Sequence, residues 1–317
     1  MKILSRPQGN AEEYGRWSVN PYKGCPHGCQ YCYLKKGAWK KGLGGSVPTL
    51  KEHVVNDEHA YHLAMAEIIE NREQIIKDGG LFMTFTSDPC IPDTRDLMLS
   101  IANDAINMEI PVTMLTKNAT FLNLEYWEEK KLGLDKEEDW RRNLYFNHAA
   151  SKRLSFIPNP HFDNYTRGHL TFGFTLTGHD ELEPNASPNA ERIKAMQCLK
   201  GRGYITWASI EPVIDFPSSL DMIRQALGAG CEHFKVGLLT NNTRVCRSKY
   251  VVEECLDFIR DVMVATDGKA TVYWKESVRE LIRYSRGRKS PLSDADMHTI
   301  FDIWPNSVTK DWSIFDP

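Results

Sequence analysis

The 317 residues are 41% hydrophobic and 26% charged with a formal net charge of -3, the balance of an ordinary globular chain with room for a sizeable core. A charge so near neutral lacks the overall basic character that announces a nucleic-acid binder, and leaves open only a local basic face. No stretch approaches the ~18 apolar residues of a membrane-spanning helix, and the opening MKILSRPQGNAEEYGRW has no signal-peptide core, so a cytoplasmic location is expected.

Residues 1–17 read as an N-terminal extension. Next comes NPYKGCPHGCQYCY (20–33), which places Cys25, Cys29 and Cys32 within eight positions. The other five cysteines, Cys90, Cys198, Cys231, Cys246 and Cys255, are scattered, and without a secretory signal the set argues against a disulfide framework. A short basic run, LKKGAWKKG (34–42), follows the cluster; a solvated face or a phosphate-binding strip would each account for it.

From there helix-like and strand-like segments alternate. Helical periodicity over 59–76 leads through a Gly-Gly turn into the strand LFMTFT (81–86). A helix over 94–108, opening at a Thr or Asp cap, precedes the strand PVTMLT (111–116) and a helix over 121–131. Residues 132–169 break the pattern as a long aromatic- and His-containing insert, either a lid or a packed irregular layer. Alternation then resumes: strand 170–177, helix 188–201, strand 204–212, helix 218–230, strand 233–239, helix 250–265, strand 270–277. Residues 278–317 form a C-terminal helical extension that opens with a second basic run, RELIRYSRGRK. The strands are nearly continuous apolar runs, as parallel strands covered on both faces require, so repeated βα units in a parallel sheet or barrel are expected.

In such folds ligands sit beyond the carboxyl ends of the strands. The polar residues at those places are Ser87 and Asp88, Thr116, Lys117 and Asn118, Thr175 and Thr177, Ser209 and Glu211, and Lys275. Any one of them could be a strand end reaching solvent. Together they point to one shared polar site.

The spacing Cys-x3-Cys-x2-Cys supplies three thiolates where a closed structural site wants four ligands. Zinc completed by His27 or a remote ligand is one reading. An iron–sulfur cluster with one iron left open for chemistry is the other.

CPHGCQYC, with Tyr31 directly before the last cysteine, resembles the signature of the radical S-adenosylmethionine superfamily. Together with FTSDPCIPD, TMLTKN and WASIEPV it looks like that superfamily's spore photoproduct lyase-like branch. The resemblance implies an α/β fold, a partial (β/α)6 TIM-like barrel over 18–277. It implies a [4Fe-4S] cluster on Cys25, Cys29 and Cys32 and S-adenosyl-L-methionine on the open iron. It further implies Asp88 (with Ser87) at the methionine ammonium, Lys117 at its carboxylate, Thr175 or Thr177 near the ribose and Tyr31 at adenine. Ser209 and Glu211 join the cofactor pocket, and Arg192 is either a site residue or a helix-surface ion pair. Cys90 is the candidate catalytic residue as a hydrogen donor or radical relay, or else a buried thiol. The implied partners are an external one-electron reductant of flavodoxin or ferredoxin type and a nucleic-acid or nucleotide substrate, with a peptide or small metabolite as the alternative and no membrane.

Overall fold

The computed structural model describes residues 2–37, 39–122, 168–241, 244–245 and 249–285. The expected helix over 121–131, nearly all of the 132–169 insert, Cys246 and the chain beyond 285 lie outside the described residues.

Twelve strands are described: β1 (Leu4–Ser5), β2 (Ser18–Val19), β3 (Tyr22–Lys23), β4 (Thr49–Leu50), β5 (Leu81–Met83), β6 (Val112–Thr116), β7 (Leu170–Thr175), β8 (Ile205–Val213), β9 (His233–Leu238), β10 (Thr240–Asn241), β11 (Arg244–Val245) and β12 (Thr271–Trp274). Eight of them form one open sheet in the order β1-β2-β5-β6-β7-β8-β9-β12. All its pairings are parallel except β1 with β2. The described α-helices are α1 (Trp39–Leu43), α2 (Asp57–Glu70), α3 (Arg72–Lys77), α4 (Arg95–Asn107), α5 (Asn189–Gly201), α6 (Phe216–Gly228), α7 (Val252–Thr266) and α8 (Glu276–Ser285). The fold is therefore α/β with a mostly parallel sheet, as the alternation predicts. None of these helices is long and apolar enough to cross a membrane.

The helix expected over 59–76 is two helices. Asn71 interrupts it by donating its side-chain amide to the Glu67 carbonyl (2.8 Å), competing with the helical ladder. The side-chain cap expected at Thr94 is also absent: its hydroxyl donates instead to the Asp88 carbonyl at 2.6 Å.

The sheet is open, yet it curls. Residue Tyr14, ahead of β2, lies 5.6 Å from the Phe82 ring on β5 and 6.0 Å from the Trp207 ring on β8. Those strands are three spacings apart, about 14 Å along a flat sheet. One phenol touches both only because the sheet bends around it. The curl is tight enough that Gly173 on β7, in register with Trp207, has no room for a side chain: a Cβ there would stand 2.2 Å from the indole.

A separate antiparallel ribbon, β3 with β4, pairs Tyr22 with Leu50 and Lys23 with Thr49. It closes the neck of the loop that carries the three cysteines.

Gly173→Ala is expected to destabilise the fold by about 1–3 kcal/mol through overpacking against Trp207. Urea unfolding followed by tryptophan fluorescence measures this, and an unchanged midpoint would mean the indole does not lie across the strand.

Candidate active site at the cysteine loop

Cys25, Cys29 and Cys32 line one partly open hollow with His27, Lys35 and the Leu43–Gly45 segment. The loop folds this closely because Gly24, at φ +88°, packs where a Cβ would meet the Val47 carbonyl oxygen at 2.5 Å. The Cys25 amide then donates to the Gly45 carbonyl at 2.9 Å. Among the described residues no three His, Cys, Asp or Glu side chains converge as around one ion. A single zinc would draw its thiolates to within about 3.8 Å of each other, whereas a multi-iron cluster takes each thiolate on a different iron. Three thiols lining one hollow are a donor set that either arrangement could use. Burial, then the nearby Asp88 carboxylate, pushes the Cys25 thiol up to about 12, and burial also raises Cys29. Both must lose a proton when a metal is bound.

His27 lines the hollow, but its ring nitrogens are engaged by neighbouring protein groups. Its Nε2 meets Asp88 Oδ2 at 2.8 Å and its Nδ1 faces the Asn185 carbonyl at 3.3 Å. With both ring nitrogens engaged it is not the fourth ligand that the zinc reading requires.

Asp88 is bonded on both carboxylate oxygens. Its Oδ1 accepts from the Cys90 amide (2.9 Å) and the Thr116 hydroxyl (2.7 Å), and its Oδ2 from His27 and the Lys117 amide (2.9 Å). All four donors come from within the protein. Burial alone would raise this carboxyl. The charge and hydrogen bond of His27 and the two amides outweigh it and hold Asp88 below the usual carboxylate range. Ser87 likewise turns inward and donates to the Gly24 carbonyl at 2.7 Å. Both residues fasten the cysteine loop to the ends of β5 and β6.

Cys90 lies where its buried-thiol alternative would place it. Its thiol is wholly buried in the main hydrophobic core, and burial followed by Asp88 holds it protonated. A thiol so placed is a small apolar core group, not a donor facing a pocket.

Lys117 and Tyr31 do come together beside the loop. The Lys117 ammonium sits 5.5 Å from the Tyr31 ring centre and 3.8 Å from Glu183, to which the Tyr31 hydroxyl also donates. Glu183, with a fully buried side chain, forms a second ion pair with Arg192 at 2.6 Å. Burial would raise Glu183; Lys117 and Arg192 overcome it and lower its pKa. Arg192 is no surface residue: it donates to the Ser187 carbonyl (2.6 Å) and the Thr175 carbonyl (2.8 Å), tying α5 to the end of β7. Thr175 and Thr177 are buried at this end, and the Thr177 hydroxyl accepts from the His179 amide. Glu183 was missed in the sequence because it lies well beyond its strand, in the turn DELEPNAS. That turn packs on the cysteine loop through Gln30 N to Leu182 O and Asn185 N to His27 O.

Ser209 and Glu211 belong to a second cluster within the curl. Tyr14 bonds to both hydroxyl and carboxylate, and Glu211 also pairs with the buried Lys275 at 2.6 Å. Lys235 on β9 stands over the Tyr14 and Trp207 rings at 5.1 and 5.4 Å and donates to the Glu13 carbonyl. Glu13 completes the group by pairing with Lys275 at 3.4 Å.

No protein-family profile matches this chain. No curated protein matches it either. Solved structures do. A cysteine-to-serine variant of spore photoproduct lyase superposes with a TM-score of 0.57 at 14% identity, over 87% of this chain and 80% of that one. Spore photoproduct lyase complexed with dinucleoside spore photoproduct superposes with a TM-score of 0.54 at 14% identity, over 86% and 80%. A tyrosine-to-phenylalanine variant gives 0.55 at 13%, over 85% and 79%. These structures share the α/β fold of this chain.

Asp88→Asn is expected to cost about 3–5 kcal/mol, since it leaves buried donors facing an amide. A carboxyl with a depressed folded pKa contributes stability above its unfolded value, about 3.9, and loses it as pH falls through the lower folded value. The variant should therefore lose part of the acid-range slope in a stability–pH series, and an identical slope would remove Asp88 from its central role.

Proposed function

We propose that this chain is a radical S-adenosylmethionine enzyme whose curled, open sheet is a partial (β/α)6 barrel. The observation that carries the reading is the placing of Cys25, Cys29 and Cys32 around one hollow at the carboxyl ends of parallel strands. Its support is a fold shared with spore photoproduct lyase and a Cys-x3-Cys-x2-Cys spacing. The three thiolates would hold a [4Fe-4S] cluster. Bound together, cluster and S-adenosylmethionine supply a 5′-deoxyadenosyl radical for hydrogen abstraction.

The residues of this chain bind and orient. Lys117 offers the cation for the methionine carboxylate, and Glu183 and Tyr31 hold that ammonium in place until it is needed. Ser87, Thr175 and Thr177 set the backbone at the strand ends on which the cofactor would rest. Ser209 and Glu211, fastened by Tyr14 and Lys275, form the floor below it. That floor combines aromatic rings with two lysines matched by Glu13 and Glu211; its aromatic faces suit a planar substrate, and the preference for a nucleotide or nucleic acid over a peptide or small metabolite rests on them. One neighbour of the same fold is complexed with a dinucleoside lesion. The reading includes a cytoplasmic setting and an external one-electron reductant.

Protein reconstituted anaerobically should bind about four irons and cleave S-adenosylmethionine under dithionite. Replacing any of the three cysteines with Ala should abolish both, and iron-loaded protein that leaves the cofactor intact overturns the reading. Lys117→Ala should weaken S-adenosylmethionine binding about 10–100-fold by loss of a charge-assisted bond. Equilibrium binding to the reconstituted protein measures it; unchanged affinity removes Lys117 from the pocket.

A further inference from the structure

The turn that carries Glu183 begins at His179, just past β7, and the His179 ring stands between two carboxylates. Its Nδ1 meets Glu181 Oε1 at 2.7 Å on the same turn. Its Nε2 meets Asp215 Oδ2 at 2.5 Å, at the corner between β8 and α6. Among the described residues these are the charged groups that face the ring. Asp180, which lies between His179 and Glu181 in the chain, is turned to Asn189, whose backbone and side-chain amides donate to it at 2.7 and 2.6 Å. Only the protonated ring, with an N–H on each nitrogen, donates to both carboxylates at once. The neutral ring has one N–H, so one carboxylate would then face a lone pair. The two are not equally held. Asp215 also accepts from the Ser218 amide at 2.8 Å and so caps α6, while the Glu181 side chain is 69% exposed. Glu181 is therefore the partner that can swing away.

We propose that His179 is a pH-operated clasp, which holds the 179–187 turn against the cysteine loop while its ring is charged and slackens when the ring loses its proton. The Glu181 contact closes the first bend of the turn, where the Leu182 amide donates to the His179 carbonyl at 3.2 Å. Directly after it come the two bonds that seat the turn on the loop, Gln30 N to Leu182 O at 2.9 Å and Asn185 N to His27 O at 3.1 Å. Burial would lower the His179 pKa; the hydrogen bonds and charges of Glu181 and Asp215 outweigh it and raise it. A group raised in this way contributes fully below its unfolded value, about 6.5, and loses that contribution as pH rises through the higher folded value. The clasp is thus shut in mildly acid solution and opens as pH climbs past the folded value. As regulation of the proposed cofactor site the clasp rests on the reading above; as a contact between turn and loop it does not.

The test follows hydrogen exchange at the amides of Gln30 and Asn185 in the full-length chain, each rate corrected for its intrinsic pH dependence. Between pH about 6 and about 9, protection in wild type should fall about 2–5-fold, the worth of one exposed ion pair. His179→Gln should show the lower protection throughout, with no such fall. Glu181→Gln, whose amide can pair with either form of the ring, should flatten the pH dependence and keep the turn in place. Protection that does not change in wild type, or a change that persists unaltered in both variants, overturns the proposal. Proton resonance gives a second reading: the His179 ring signal, identified by its loss in His179→Gln, should titrate above about 6.5. Asp215→Asn keeps a capping side chain on α6 and should move that midpoint down. A wild-type ring that titrates at or below the ordinary value also overturns the proposal. Neither measurement uses iron or S-adenosylmethionine, so failure of the clasp and failure of the cofactor reading are told apart.

Discussion

Asp88 accepts hydrogen bonds from four different places: His27 in the cysteine loop, the amides of Cys90 and Lys117, and the hydroxyl of Thr116 on β6. The loop, the end of β5 and the end of β6 meet at this carboxylate, and its position fixes theirs. A buried carboxylate is costly unless its lone pairs are used, and here four donors reach it. His27 is engaged on its other side by the Asn185 carbonyl. The chain of contacts therefore continues into the turn that carries Glu183.

Glu183 plays the corresponding part on the far side of the site. It draws Lys117, Arg192 and the Tyr31 hydroxyl to one buried point, and Arg192 carries the connection on to the last carbonyl of β7. Two carboxylates thus set the loop and the strand ends against each other before any ligand arrives. Pre-positioning of this kind removes ordering cost from binding. It also explains why so many polar residues at the strand ends are turned inward: in this chain they build the frame, and fewer of them face the pocket.

The parallel sheet was legible in the sequence because its strands are long apolar runs separated by amphipathic helices. β5, β6, β7, β9 and β12 fall within the expected segments, and β8 overruns its own only at Val213. The two-residue strands β1 to β4 were not, since two residues carry no periodicity and their pairing is set by partners far along the chain. The cysteine spacing was equally plain because it is local. The roles of Asp88, Cys90 and His27 were hidden for the opposite reason: each is decided by which long-range neighbour claims its polar atoms. Asp88 follows a strand and looks like a ligand group, and its contact with His27, 61 positions earlier, leaves no trace in the local sequence. Tyr14 and Glu183 left no signal at all, being single residues outside any periodic element.

Tyr14 has one more consequence. It precedes every strand of the parallel set, yet it is enclosed by β5, β8 and Lys275 just past β12, with a hydrogen bond to a residue 195 positions away. Strands leaving the ribosome one after another cannot finish this curl as they come, because the ring they must wrap around is made first and its last neighbour, Lys275, is made near the end. Such a contact belongs to the slow, non-local class in which loop closure has to be met before the contact gives anything back. Synthesis of this chain should end with a single late closing step around an early residue, and not with a sheet grown strand by strand.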